Sequence, residues 1–118
     1  MRKYAFEKIR DPALKRFLEA LLNKIVQKFD PRELWLWGSR IYGNPHHDSD
    51  IDLVIISDRF RNIRLLKRRS YFLRTIEFSK YPDLEDIDPF CFTPEEFEKK
   101  KQDPWMFKEL FEKGVRII

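Results

Sequence analysis

Two periods of hydrophobic recurrence run along this chain, and the places where one gives way to the other mark its elements. After Asp11-Pro12, residues Leu14, Phe17, Leu18, Leu21, Leu22, Ile25 and Val26 recur at helical spacing up to Phe29. That predicts an amphipathic first helix, capped by Asp11 with proline at its first position and ended near Asp30-Pro31. Leu34-Trp35-Leu36-Trp37 is short, aromatic and apolar and stops at Gly38, as a buried strand does. A polar turn follows from Gly38 to Ser49. Asp50 to Ser57 is rich in β-branched residues and reads as a second strand, with Asp50 and Asp52 at its entrance.

The spacing of Ile63, Leu66, Leu73 and Ile76 predicts one long basic helix from about Phe60 to Phe78. After Tyr81-Pro82-Asp83, Ile87 to Phe92 is a third strand; Pro89 inside it points to an edge position or an irregular start, because proline cannot donate to a ladder. Thr93-Pro94-Glu95-Glu96 combines a capping hydroxyl, a proline just inside and a glutamate three residues after the cap, so a helix runs from there through Lys101. Lys99-Lys100-Lys101 suits the negative end of that helix's dipole. Asp103-Pro104 starts another helix carrying Trp105, Phe107, Leu110 and Phe111, and Gly114 ends it before a terminal strand from Val115 to Ile118. With no repeat, linker or low-complexity tract, the expected architecture is one α/β domain over residues 1–118, with a mixed sheet of three to four strands flanked by helices.

Composition narrows the class. A chain of 118 residues supports a real core but not a separate acceptor-recognition domain, so an elaborate acceptor is expected to be held partly by a partner. A hydrophobic fraction of 42%, with eleven Phe and three Trp, excludes a disordered chain. Lys and Arg number 24 against 20 Asp and Glu, a mild basic bias that suits a polyphosphate or nucleic acid without requiring either. The single cysteine, Cys91, sits between Phe90 and Phe92, which predicts a buried small hydrophobe and excludes a disulfide within the chain. No apolar h-region follows Met1-Arg2-Lys3-Tyr4 and no run approaches a membrane span, so a soluble cytoplasmic protein is expected.

The chemistry concentrates in Gly38-Ser39-Arg40-Ile41-Tyr42-Gly43 and Ser49-Asp50-Ile51-Asp52-Leu53. Alternate residues of a strand face one way with Cα atoms roughly 6.5 to 7 Å apart, so Asp50 and Asp52 would present two carboxylates side by side. Like charges so placed repel unless a cation lies between them, and hard oxygen donors suit magnesium or manganese, which also neutralise a triphosphate. Gly38-Ser39 directly after a strand is the complement: glycine admits a phosphate close to the backbone, and amides and the hydroxyl donate to it.

Together these residues resemble the signature of the DNA polymerase beta-like nucleotidyltransferase superfamily, in particular its minimal nucleotidyltransferases: Gly38-Ser39, ten intervening residues from Arg40 to Ser49, then Asp50-Ile51-Asp52. Gly43 completes a Gly-Ser-x-x-x-Gly form, and the order of elements follows the family over nearly the whole chain. The resemblance implies a nucleotidyltransferase-type domain and a third carboxylate on the strand after the central helix. Asp86 and Asp88 both precede Phe90-Cys91-Phe92; Asp88 is chosen because it adjoins the strand core and because the stretch to Thr93-Pro94-Glu95-Glu96 resembles minimal members. The resemblance further implies in-line attack of an acceptor hydroxyl on the α-phosphate, with Asp50, Asp52 and Asp88 holding magnesium or manganese and Gly38, Ser39, Arg40 and Gly43 at the nucleotide. It also implies an antitoxin whose partner is a HEPN-type toxin, with AMP moved from ATP to a toxin tyrosine.

Other features have plainer explanations. Adjacent His46-His47 in a turn lack the spacing of a structural zinc site and are expected to be exposed. The run Arg59, Arg61, Arg64, Lys67, Arg68 and Arg69 reads first as a solvated helix face and second as a stripe for nucleic acid or an acidic partner. Trp35 and Trp37 are expected in the core, whereas Trp105 and Phe107 are candidates for a partner surface. Two competing functions follow: a non-catalytic binding antitoxin, and transfer to RNA or a small molecule.

Overall fold

β-branched and aromatic runs bounded by turns build four strands, and the amphipathic segments between them cover both faces of the resulting sheet. The structure is a computed structural model that describes residues 12–37, 51–80 and 87–118. In chain order the elements are α1 (Pro12–Phe29), β1 (Glu33–Trp37), β2 (Ile51–Ile56), α2 (Leu65–Thr75), β3 (Ile87–Phe92), α3 (Pro94–Lys101), α4 (Pro104–Lys113) and β4 (Val115–Arg116), with short 3-10 turns at Asp58–Phe60 and Phe78–Lys80. The sheet order is β3-β2-β1-β4. β1 runs antiparallel to β2 and to β4, while β2 and β3 are parallel, joined through α2 as parallel neighbours require. The expected mixed α/β sheet flanked by helices is therefore what forms. β3 is an edge strand, which accommodates Pro89 without losing an interior ladder bond.

Alternation along the strands sorts the core into two layers. Leu34 and Leu36, then Ile51, Leu53 and Ile55, then Ile87 and Cys91 face α1 and α2, whose Leu18, Leu22, Ile25, Phe29, Phe72 and Ile76 are buried against them. Val54, Ile56 and Phe92 face the other way, onto Phe97 of α3 and Leu110 of α4, with Trp35 and Trp37 packed at the margin. Ser57, at the exit of β2, is fully buried: its hydroxyl donates to the Phe29 carbonyl and accepts from the Arg59 amide at 3.1 Å, joining the end of α1 to the end of β2. Gly114 lets β4 close against β1, because a Cβ there would lie 2.3 Å from the Leu110 carbonyl oxygen and 3.2 Å from that of Leu36.

The helix expected from Phe60 to Phe78 is a correction. Ser57 caps a 3-10 turn instead, Arg64 is extended at ψ 139, and the α-helix begins only at Leu65. The turn sends Phe60 into the core, where its ring lies 5.3 Å from Phe29, a burial that one continuous helix would forgo. Of the expected stripe, Ile63, Leu73 and Ile76 do pack on the core, and Leu66 does not. Phe72 and Ile76 are buried, whereas Leu66 is 94% exposed. Elsewhere the capping box at Thr93 forms as expected, with Glu96 reaching back to the Thr93 amide at 2.7 Å.

Candidate functional site

The parallel pairing of β2 and β3 sets Asp52 opposite Asp88. The antiparallel pairing of β1 and β2 sets Trp37 opposite Asp52, so Trp37, Asp52 and Asp88 form one row across three strands. Neighbouring strands lie roughly 4.8 Å apart, which places the two aspartates abreast. Their positions follow from period two: each is the half-buried second residue of its strand, on the face that carries Val54, Ile56 and Phe92 deeper in. Asp88 pairs with Arg69 of α2, Nε to Oδ1 at 3.2 Å.

Of the residues singled out from the sequence, Asp52 and Asp88 are thus brought together. Gly38, Ser39, Arg40, Gly43, His46, His47, Asp50 and Asp86 lie outside the described residues, as does the Asp11 cap. Among the described residues no cluster of three or more metal-ligating side chains forms, and two of the three expected carboxylates are among them. The donors fit a hard divalent cation: two carboxylates abreast need a positive charge between them, and both offer oxygen. The soft donor nearby does not compete. Cys91 is on the opposite face of β3, and burial pushes its thiol up to about 12.

The basic run divides in three, which corrects the expectation of one solvated face. Arg59 and Arg61 stand on the 3-10 turn rather than a helix; Arg61 bonds Asp58 at 2.8 Å and Glu95 at 2.9 Å. Arg61 first, and then Arg32, whose Nε donates to Asp58 at 2.9 Å, hold the Asp58 carboxyl below its usual range against the opposing effect of burial. Arg68 is buried, donating from Nε to the Ile63 carbonyl at 2.8 Å and from its guanidinium to the Cys91 carbonyl at 3.2 Å and to Glu96. Burial raises the Glu96 carboxyl, but the bonds from Arg68 and the Thr93 amide outweigh it and the net shift is downward. Arg69, read from the sequence only as a member of the basic run, is the one that meets Asp88. The signal was helical spacing: Arg68, Phe72 and Ile76 share one face, which turns the adjacent Arg69 out of it.

The mixed sheet lies between two pairs of helices, with the carboxylates of Asp52 and Asp88 abreast at one end. The chain belongs to the nucleotidyltransferase family: the family model of the nucleotidyltransferase domain matches residues 18–118. Solved structures share the fold. A Sulfolobus solfataricus protein assigned to the nucleotidyltransferases is 18% identical, with a TM-score of 0.50 over 76% of this chain and 81% of that one. BolA1 from Arabidopsis thaliana is 19% identical, with a TM-score of 0.52 over 66% and 92% of the two chains. The BolA domain of SufE1 from the same plant is 25% identical, with a TM-score of 0.51 and the same coverage. No protein of curated function matches the chain. Among the described residues no helix is long and apolar enough to cross a membrane.

Proposed function

We propose that this chain is a divalent-metal-dependent transferase that moves AMP from ATP to a hydroxyl acceptor, a tyrosine of a HEPN-type toxin partner, and so acts as a cytoplasmic antitoxin. The observation that carries the reading is the register of Asp52 with Asp88 in a chain of the nucleotidyltransferase family that also holds Gly38-Ser39 separated by ten residues from Asp50-Ile51-Asp52.

In this reading the whole of residues 1–118 serves as the minimal nucleotidyltransferase domain. Asp50, Asp52 and Asp88 hold magnesium or manganese, whose bound charge would offset that of the triphosphate and of the gathered carboxylates. Gly38 and Gly43 admit the phosphates close to the backbone, Ser39 donates to a phosphate oxygen, and Arg40 supplies a planar cationic fork. Asp88 faces the acceptor and takes the hydroxyl proton. The acceptor oxygen forms its bond to the α-phosphorus as the bridge to the β-phosphate breaks, and pyrophosphate leaves in line. Positioning and charge, rather than a covalent enzyme intermediate, supply the rate.

Incubation with magnesium, α-labelled ATP and a helical HEPN-type partner tests this. Label covalently on a partner tyrosine, and absent with Asp50→Ala/Asp52→Ala, is the expected result. A partner that binds but takes no label from any nucleoside triphosphate would leave a non-catalytic antitoxin; label on RNA instead would move the acceptor class.

A further inference from the structure

Two adjacent arginines of α2 are used in opposite ways. Arg68 is built into the interior, tied to the Ile63 and Cys91 carbonyls and to Glu96, and so pins this turn of α2 against β3. Arg69, roughly 100° further round the helix, leaves the core and reaches Asp88. Its side chain is 61% exposed and that of Asp88 43% exposed, and among the described residues this pair is the one polar contact holding it. An arginine–carboxylate pair so open to solvent is a weak interaction and a poor device for stability. It does supply a positive charge at the carboxylate that stands abreast of Asp52.

We propose that Arg69 is a displaceable counter-cation of Asp88. It holds that carboxylate in the metal-free protein, yields it when a divalent cation arrives, and then donates to phosphate oxygens of the nucleotide. The proposal rests on the reading of Asp52 and Asp88 as metal ligands. Its physical basis is competition: a single, screened guanidinium charge against a divalent ion that two neighbouring carboxylates can share. Once released, the guanidinium remains on a helix turn anchored by its neighbour. Its planar fork of donors suits phosphate better than a point charge does. Arg69 is therefore a positioning residue in one state and a substrate contact in the other.

The test is binding, without turnover. Manganese affinity is measured by electron paramagnetic resonance on the nucleotide-free protein, and affinity for an ATP analogue with a non-transferable α–β bridge is measured in saturating manganese. Arg69→Met is expected to tighten manganese about threefold by removing a weak competitor and to weaken the analogue about tenfold by removing a charged donor. Arg69→Lys should fall between. In an Asp88→Asn background the manganese gain should vanish, because the competitor no longer has its partner. Unchanged manganese binding in Arg69→Met, a loss of both affinities, or a gain that persists with Asp88→Asn would each overturn the proposal. Manganese binding that survives Asp52→Asn would instead overturn the metal site itself, and the proposal with it.

Discussion

A guanidinium in a protein interior must find acceptors for what it loses in water, and Arg68 finds a carboxylate and two carbonyls. The converse holds as well: without Arg68 the buried carbonyl of Cys91 loses its guanidinium donor and the half-buried Glu96 is left with the Thr93 amide. Arg68→Met is expected to lower stability by about 2 kcal/mol, less than for a fully buried pair because water can reach the Glu96 side chain. A denaturant midpoint read by circular dichroism checks this; an unchanged midpoint would mean that the arginine is not part of the core. Residues differed in how far they could be read from the sequence. Cys91 was legible, since its phenylalanine neighbours already implied burial. Arg68 was hidden in a basic run whose members look alike until the helical face through Phe72 and Ile76 is known.

At the level of elements, local capping chemistry was the readable part. β3 and α3 fall where their proline and capping signals put them, and α1 spans its predicted range. α2 was harder, because Ser57 diverts the chain into a 3-10 turn and Arg64 interrupts what the apolar spacing suggests is continuous. Its far end is set by Glu77, whose φ of 56 reverses the helix and whose carboxylate meets Lys24 of α1 at 2.8 Å and also Lys80. The bond from Lys24 first, and then that from Lys80, holds the Glu77 carboxyl down at about 2, from an ordinary 4.5. A carboxyl depressed in the folded state adds stability that is fully present above 4.5 and is lost as pH falls toward about 2. Carboxyl NMR titration of Glu77 should show that depressed midpoint, and Lys24→Met should raise it. A Glu77 midpoint near 4.5 in the unmodified protein would show that this link between α1 and the end of α2 does not form in solution.

For the molecule as a whole, the candidate site is a product of topology. Asp52 and Asp88 belong to segments that only the crossover through α2 makes adjacent, and the sheet order with β3 beside β2 is what sets them abreast. The place of Asp52 near the head of β2 could be read directly, because strand periodicity is local. The partnership with Asp88 could be anticipated only through resemblance to a family, since no local rule specifies register between distant strands. Helical spacing turns Arg69 away from the core, but its pairing with Asp88 was beyond reach for the same reason, being tertiary. The central claim is that these two aspartates act as one unit in nucleotidyl transfer. The direct measurement is the rate of label transfer by Asp52→Asn, Asp88→Asn and the double variant, each checked for an unchanged fold. Groups acting as a unit are non-additive, so each single variant is expected to lose at least about a thousandfold and the double variant little more than either. Single variants that retain most of the rate, or losses that simply multiply in the double variant, would contradict the account.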